Sequence, residues 1–193
     1  MDVGFSYFAR AYMNTEQHIE ELRELVRIEY PEVEIVAIRI EDLVFEERVK
    51  LKCLHCRNYG NKWTCPGRLP QLDYRKIVSE YEHAVVVISK VENRQSEVEN
   101  GVFRQAANTL HKAMLYMESE LLKRNHPLAE SFIGCNCQLC RDGCPSEGCA
   151  YPEQARLPWD AIGCNVVKTL EHIGIRVVFP PQEYIYQYGL LVW

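Results

Sequence analysis

The sequence predicts an α/β or α+β fold, a single compact domain in which helices pack on a small sheet that carries two cysteine-rich loops. Helical and strand-like hydrophobic patterns alternate along the chain, which is typical of mixed folds. Its 193 residues suit one domain, residues 1–193, and are enough to bury a core without crosslinks. Eight of the nine cysteines gather at about residues 53–66 and 135–152, which read as insertions on that scaffold.

The first half of the chain predicts two helices and two strands. Residues 14–28 place apolar side chains on one helical face, Asn14 and Gln17 are suited to cap its start, and Pro31 ends it. Residues 34–45 are strand-rich, and residues 73–81 predict a short helix. The apolar, β-branched run 84–88 predicts a buried strand.

The second half predicts two helices and two strands. Ser96 and Glu99 form a capping box ahead of the longest helix, residues 102–125, whose apolar side chains recur at helical spacing. Residues 158–173 predict another helix. Residues 175–179 predict a buried strand that Pro180 and Pro181 end, and residues 184–193 a final strand.

Charge and composition exclude several classes of protein. The chain carries 22 basic and 27 acidic residues without an extended Lys/Arg stripe, so we do not expect it to bind nucleic acid. The first residues lack the pattern of a signal peptide, and no apolar run approaches the ~20 residues of a membrane span. We therefore expect a cytoplasmic protein with reduced thiols. In that compartment clustered cysteines indicate metal binding rather than disulfides, and the odd total of nine also argues against a closed set of disulfides.

The second cysteine segment is ferredoxin-like in its spacing. Bacterial ferredoxins use C-x2-C-x2-C-x3-C-P to wrap thiolates around a cubane cluster. Cys137, Cys140 and Cys144 reproduce its last three positions, whereas the first would fall on Gly134, one residue from Cys135. Cys149 supplies a fourth thiolate. These four cysteines therefore predict one [4Fe–4S] cluster.

A structural zinc site is the competing interpretation of these cysteines. Zinc takes four tetrahedral ligands, commonly from two C-x2-C pairs that lie well apart in the sequence. The second segment packs five cysteines into one short loop, which is more than one zinc needs. Compact runs that contain Cys-Pro are more typical of iron–sulfur binding, so the spacing favours a cluster over zinc.

The first cysteine segment leaves its ligand set open. Cys53, Cys56 and Cys65 form C-x2-C-x8-C-P and give three thiolates. The fourth position can be closed by Cys135 or Cys164, with His55 a weaker candidate, or it can stay open on one iron. A closed cluster would mostly move electrons, whereas an open iron can act as a Lewis acid on a substrate.

Both cysteine motifs resemble a known family. Lys52-Cys53-Leu54-His55-Cys56-Arg57-Asn58-Tyr59-Gly60 with Thr64-Cys65-Pro66 resembles the K-C-x2-C-x2-Y-G-x4-C-P signature of the "predicted metal-binding protein" family (domain of unknown function 2284). Cys137-Gln138-Leu139-Cys140, Cys144, and Cys149 to Arg156 are similar to its C-x-L-C…C…C-R-x-P-x-x-A-R. Cys135 and Cys164 look like additions to that pattern. The resemblance implies iron–sulfur clusters but supplies no reaction.

Other side chains near the cysteines have simpler roles. Tyr59 and Trp63 lie inside the first loop and are expected to pack over a cluster and shield it from water. Arg156 is suited to a salt bridge or to an anion. Asp160 is expected to cap the helix that follows it, and His111 to lie in the core.

Three functions follow as hypotheses. The leading one is electron transfer by one or two [4Fe–4S] clusters to a redox protein partner. The second is an enzyme whose open iron binds a small-molecule substrate, with Arg57, Arg68 or Arg156 binding an anionic group. The third is a module stapled by zinc that has no redox role.

Overall fold

The structure is a computed structural model that describes residues 15–93 and 99–193. Two predicted caps, Asn14 and Ser96, lie outside the described residues. None of the described helices is long and apolar enough to cross a membrane.

A five-stranded mixed sheet forms the centre of the fold. Its strands are β1 (Val33–Ile38), β2 (Ala84–Glu92), β3 (Glu130–Ile133), β4 (Leu157–Pro158) and β5 (Tyr184–Val192). They lie in the order β1-β2-β5-β3-β4. The first three pairs are antiparallel, and β3 pairs with β4 in parallel. The C-terminal strand is therefore central, and the edge strands β1 and β4 come from different halves of the chain.

Helices cover both faces of this sheet. They are α1 (Thr15–Glu29), α2 (Lys50–Leu54), α3 (Tyr74–Val78), α4 (Glu99–Lys123) and α5 (Val166–His172), with 3₁₀ turns at Ile40–Asp42 and Glu47–Val49. The predicted mixed architecture is confirmed as a single compact α+β domain.

Strand β2 is buried on both faces, which explains its continuous apolar run. Val85 and Val87 pack with α1 and α4, whereas Val86 and Ile88 pack with α5 on the opposite face. The first core is completed by Ile19, Leu22, Val26, Leu110, Met114, Met117, Ile133 and Leu191. The second is completed by Phe132, Trp159, Ile162, Leu170, Leu190 and Val192.

Three predicted elements differ from the structure. The strand predicted at residues 34–45 ends at Ile38 and is followed by a 3₁₀ turn. The helix predicted from residue 158 begins only at Val166, because Gly163 turns the chain with a φ of 94°. Residues 175–179 are not a strand. Ile175 and Val177 pack on the second core, but the segment joins no ladder of the described sheet.

The sequence interpretation missed β3 and β4. Both are short, and they flank the second cysteine segment at its two ends. Pairing β3 with β5 and β4 fixes both ends of that segment on the sheet, so its position is set by the fold.

Candidate metal centre

The first cysteine loop is a chain of tight turns that begins at α2. The Cys56 amide donates to the Cys53 carbonyl at 3.0 Å, and the Cys65 amide donates to the Lys62 carbonyl at 3.1 Å. The Gly60 amide closes the loop on the Pro66 carbonyl at 2.9 Å. The only regular element at this described loop is the five-residue helix α2, so these backbone hydrogen bonds are what fix its shape.

Four thiols line one cavity of about 170 Å³. Three belong to the first loop, Cys53, Cys56 and Cys65, and the fourth is Cys135 from the second segment. Tyr59 also lines this cavity. The structure thus brings Cys135 to the three-cysteine set, and Cys164 is not among the lining residues.

The backbone at the end of β3 directs Cys135 toward this cavity. A Cβ on Gly134 would lie 2.5 Å from the Tyr188 carbonyl oxygen, so only glycine allows β3 to lie this close to β5. Cys135 follows with a φ of 57°, a left-handed conformation that is uncommon outside glycine. Such outliers are held by the surrounding structure and cluster at functional sites.

Asp160 is a cavity residue and not a helix cap. The predicted cap is wrong, because Asn165 caps α5: its side-chain oxygen accepts a hydrogen bond from the Lys168 amide at 3.2 Å. The Oδ1 atom of Asp160 is buried without a hydrogen-bond partner among the described residues. No sequence pattern indicated this position, because the turn after β4 that carries it was predicted as helix.

Charge and burial act together on the first set of thiols. Burial raises the pKa of Cys53 and raises that of Cys65 to about 12, and the carboxylate of Asp160 is the next cause in both. Desolvation also raises the pKa of Asp160 itself. The raised pKa values favour the protonated thiols of Cys53 and Cys65, so binding of a metal by these two residues would release protons.

The remaining cysteines of the second segment interact with one another. Desolvation raises the pKa of Cys137 and of Cys140, and the charges of Cys144 and Cys149 raise it further in both. Cys137 is buried, and the other three are partly exposed. The four cysteines that the spacing assigns to one cluster are therefore electrostatic neighbours.

Two side chains of the first loop hold the second segment directly. The indole Nε1 of Trp63 donates to the Pro145 carbonyl at 2.8 Å, next to Cys144. The ammonium of Lys62 donates to the Cys137 carbonyl at 2.7 Å. The guanidinium of Arg68 lies 4.1 Å from the centre of the Trp63 ring. The two cysteine segments therefore form one unit.

Helix α4 anchors the second segment from the sheet side. His111 is buried, and its Nε2 lies 2.7 Å from the carbonyl oxygen of Gln154. Arg156 forms an ion pair with Glu118, with Nε 2.8 Å from Oε1. Because the side chains of Arg156 and Glu118 are only 15% and 11% exposed, the guanidinium is committed to this structural pair.

Cys164 is a core residue. It is fully buried, its Sγ lies 3.5 Å from the Thr169 Oγ1, and burial raises its pKa to about 11. It packs in the core formed by Trp159 and Ile162.

The first cavity offers four thiols, which are soft metal ligands, around one enclosed volume. Four cysteines are the usual ligands of a [4Fe–4S] cluster. An apolar cavity of about 150 Å³ holds a benzene molecule, so about 170 Å³ suits a polynuclear group. Among the described residues, no three His, Cys, Asp or Glu side chains are arranged to hold a single metal ion.

Comparison with known proteins gives one match. Residues 36–192 match the family model described as "Predicted metal-binding protein (DUF2284)". No curated protein matches the chain. No solved structure matches it either.

Proposed function

The chain belongs to the predicted metal-binding protein family DUF2284, and we propose that its metal is iron, bound as two [4Fe–4S] clusters that transfer electrons. Cys53, Cys56, Cys65 and Cys135 would hold the first cluster. Cys137, Cys140, Cys144 and Cys149 would hold the second. The protein would work in a reducing compartment, the cytoplasm, where these thiols stay free to bind iron.

The observation that carries this proposal is the position of Cys135 in the first cavity. It divides the nine cysteines into two sets of four and one core residue, Cys164. Four thiolates per cluster leave no iron position for a substrate, and such clusters serve mainly in electron transfer. A bacterial ferredoxin shares cysteines between two clusters in a related way, since one cysteine of each run binds the other cluster.

The short link between the two ligand sets supports electron transfer between the clusters. Only Asn136 separates Cys135 from Cys137, so their Cα atoms lie within about 7 Å of each other even in an extended chain. The Lys62 ammonium on the Cys137 carbonyl further ties the two loops together. Two clusters held by neighbouring residues lie close enough to exchange electrons through the protein.

An enzyme with an open iron is less well supported. It would require a ligand position that no cysteine fills, whereas Cys135 lines the first cavity. Two of its three proposed anion-binding residues are engaged elsewhere: Arg68 donates to the Gly60 carbonyl at 2.7 Å, and Arg156 pairs with Glu118. A zinc-stapled module would use the same cysteines but would contain zinc and no sulfide, so metal and sulfide analysis distinguishes it from an iron–sulfur protein.

Anaerobic purification with iron, sulfide and zinc analysis tests the proposal, together with EPR of the reduced protein. We expect about eight iron and eight sulfide per chain and an EPR spectrum of two interacting reduced clusters. Zinc without sulfide would refute the proposal and support a structural module. About four iron with four sulfide would remove the path between clusters, and with it the proposed electron-transfer role.

A further inference from the structure

The first cysteine loop carries a concentration of positive charge. Residues 48–68 contain six Lys or Arg and no Asp or Glu, while the whole chain has a net charge of −5. The rest of the chain therefore carries −11. The cations are spaced among the cysteines and do not form a contiguous run, which is why no basic stripe is visible in the sequence.

Two of these cations have no partner within the described residues. Lys52 and Arg57 are exposed and form no ion pair there, in contrast to Arg48 and Lys50, which pair with Glu46 and Glu47. Both flank cysteines of the first cavity, Lys52 before Cys53 and Arg57 after Cys56. Their charge is therefore available to a molecule that approaches this cavity.

Exposed apolar side chains are interspersed with the cations of this loop. Leu51 and Leu54 are one helical turn apart on α2 and are 58% and 54% exposed. Tyr59 is 42% exposed and also lines the first cavity. Exposed apolar side chains that are rimmed by charge mark sites where another protein binds. We name Leu51, Lys52, Leu54, Arg57 and Tyr59 the basic patch.

We propose that the basic patch docks an acidic electron-carrier protein over the first cluster. This inference rests on the proposed function, because the partner would exchange electrons with the cluster at Cys53, Cys56, Cys65 and Cys135. Cys56 is itself exposed within the patch, so a docked protein would lie directly against a ligand of that cluster.

The chemistry of the patch selects an acidic protein over other anions. Leucine and tyrosine side chains at its centre gain from contact with an apolar protein surface, whereas a phosphate backbone offers them nothing equivalent. Complementary charge mainly raises the association rate, which suits short encounters between redox proteins with small interfaces. Lys52 and Arg57 would steer the partner, and the apolar residues would hold it.

Stopped-flow electron transfer tests this assignment. The reduced, cluster-loaded protein is mixed with an oxidised acidic plant-type ferredoxin at several ionic strengths. We expect the second-order rate to fall with salt, and the variant Lys52→Glu/Arg57→Glu to be about tenfold slower at low salt. The two rates converge at high salt, where the charges are screened. Leu51→Gln/Leu54→Gln lowers the rate at every salt concentration.

The matched control is Arg27→Glu/Lys112→Glu, which makes the same change in net charge. Both residues are exposed on α1 and α4, outside the patch. Iron and sulfide are measured in every sample, and the rate with a small neutral quinone shows whether a variant has altered the cluster itself.

The outcomes separate this inference from the proposed function. Wild-type protein without iron and sulfide refutes the proposed function, and the docking surface falls with it. Loaded protein in which patch and control variants slow the reaction equally refutes the docking surface alone. The docking surface is also refuted if Lys52→Glu/Arg57→Glu leaves the ferredoxin rate unchanged but abolishes binding of an RNA oligomer or dissociates a dimer of this chain.

Discussion

Substitution of Cys135 and of Cys164 by serine gives a matched pair that tests the ligand assignment. Both replace one thiol by one hydroxyl, and both residues stand outside the family pattern in the sequence. Cys135 lines the cavity with Cys53, Cys56 and Cys65, whereas Cys164 lies in the core with its Sγ 3.5 Å from Thr169. Cys135→Ser should therefore change the metal content, whereas Cys164→Ser should change only the stability.

The expected magnitudes follow from these positions. Wild-type protein should hold about eight iron per chain in two cubanes, and Cys135→Ser leaves three thiolates at the first, so its iron falls to between about four and seven. Cys164→Ser keeps about eight. It introduces a hydroxyl into a buried site. A buried hydroxyl without a hydrogen bond costs about 1–3 kcal/mol of stability, and the cost is smaller if the hydroxyl donates a hydrogen bond to Thr169.

The assay is metal and sulfide analysis of both variants after anaerobic purification, with EPR of oxidised and reduced samples. A three-iron signal in oxidised Cys135→Ser would identify a cluster that has lost the iron next to the missing ligand. Loss of iron from Cys164→Ser with none from Cys135→Ser would refute the reasoning. Eight iron in both variants would also refute it and would favour the open-iron enzyme.

Three further predictions concern residues around the cysteine loops. Asp160→Asn removes a negative charge beside the first cavity and should raise the reduction potential of that cluster, measured by EPR-monitored titration at one fixed pH; an unchanged potential contradicts the contact. Gly134→Ala forces a Cβ against the Tyr188 carbonyl at 2.5 Å, which should cost about 1–3 kcal/mol in urea unfolding and displace Cys135, with loss of the first cluster; unchanged stability contradicts the close approach. The side chain of Arg48 is the first of three that lower the pKa of Glu46 from 4.5 to about 2. This stabilisation is complete above pH 4.5 and is lost as the pH falls toward 2. Acid unfolding of Glu46→Gln should therefore depend less on pH in that window than that of the wild type, and equal slopes would exclude the contribution.

The sequence predicted elements well where hydrophobic periodicity was long. The 25 residues of α4 and the apolar run at the start of β2 carry enough repeats to define both type and approximate position. The pattern failed over residues 175–179, whose alternating side chains pack on a core although the backbone joins no ladder of the described sheet. It also failed at β3 and β4, because four and two residues are too short to show any period.

The sequence proposes the cysteines of the candidate site and the grouping of the second set, but it leaves the first set incomplete. Spacing alone makes every cysteine of the two loops a candidate ligand, since close thiolates with glycine and proline have few other uses. The fourth residue of the first set could not be chosen, because Cys135 and Cys164 are both distant in sequence from Cys65. The position of Asp160 in the first cavity was not predicted for a similar reason, because the cavity is formed by segments that meet only in the folded chain.

The one-residue offset of Cys135 from the ferredoxin spacing has a structural explanation. In a continuing strand Ile133, Cys135 and Cys137 would all point to one face of the sheet, and Ile133 and Cys137 do share the core beneath α4. The left-handed backbone at Cys135 breaks this alternation and places that residue beside Pro158 and Ala161 instead. Under the proposed function, two cysteines separated by one residue would thereby serve different clusters. A cysteine at position 134 would clash with β5, because its Cβ would lie 2.5 Å from the Tyr188 carbonyl oxygen. The offset would therefore let a single strand end contribute to both proposed clusters.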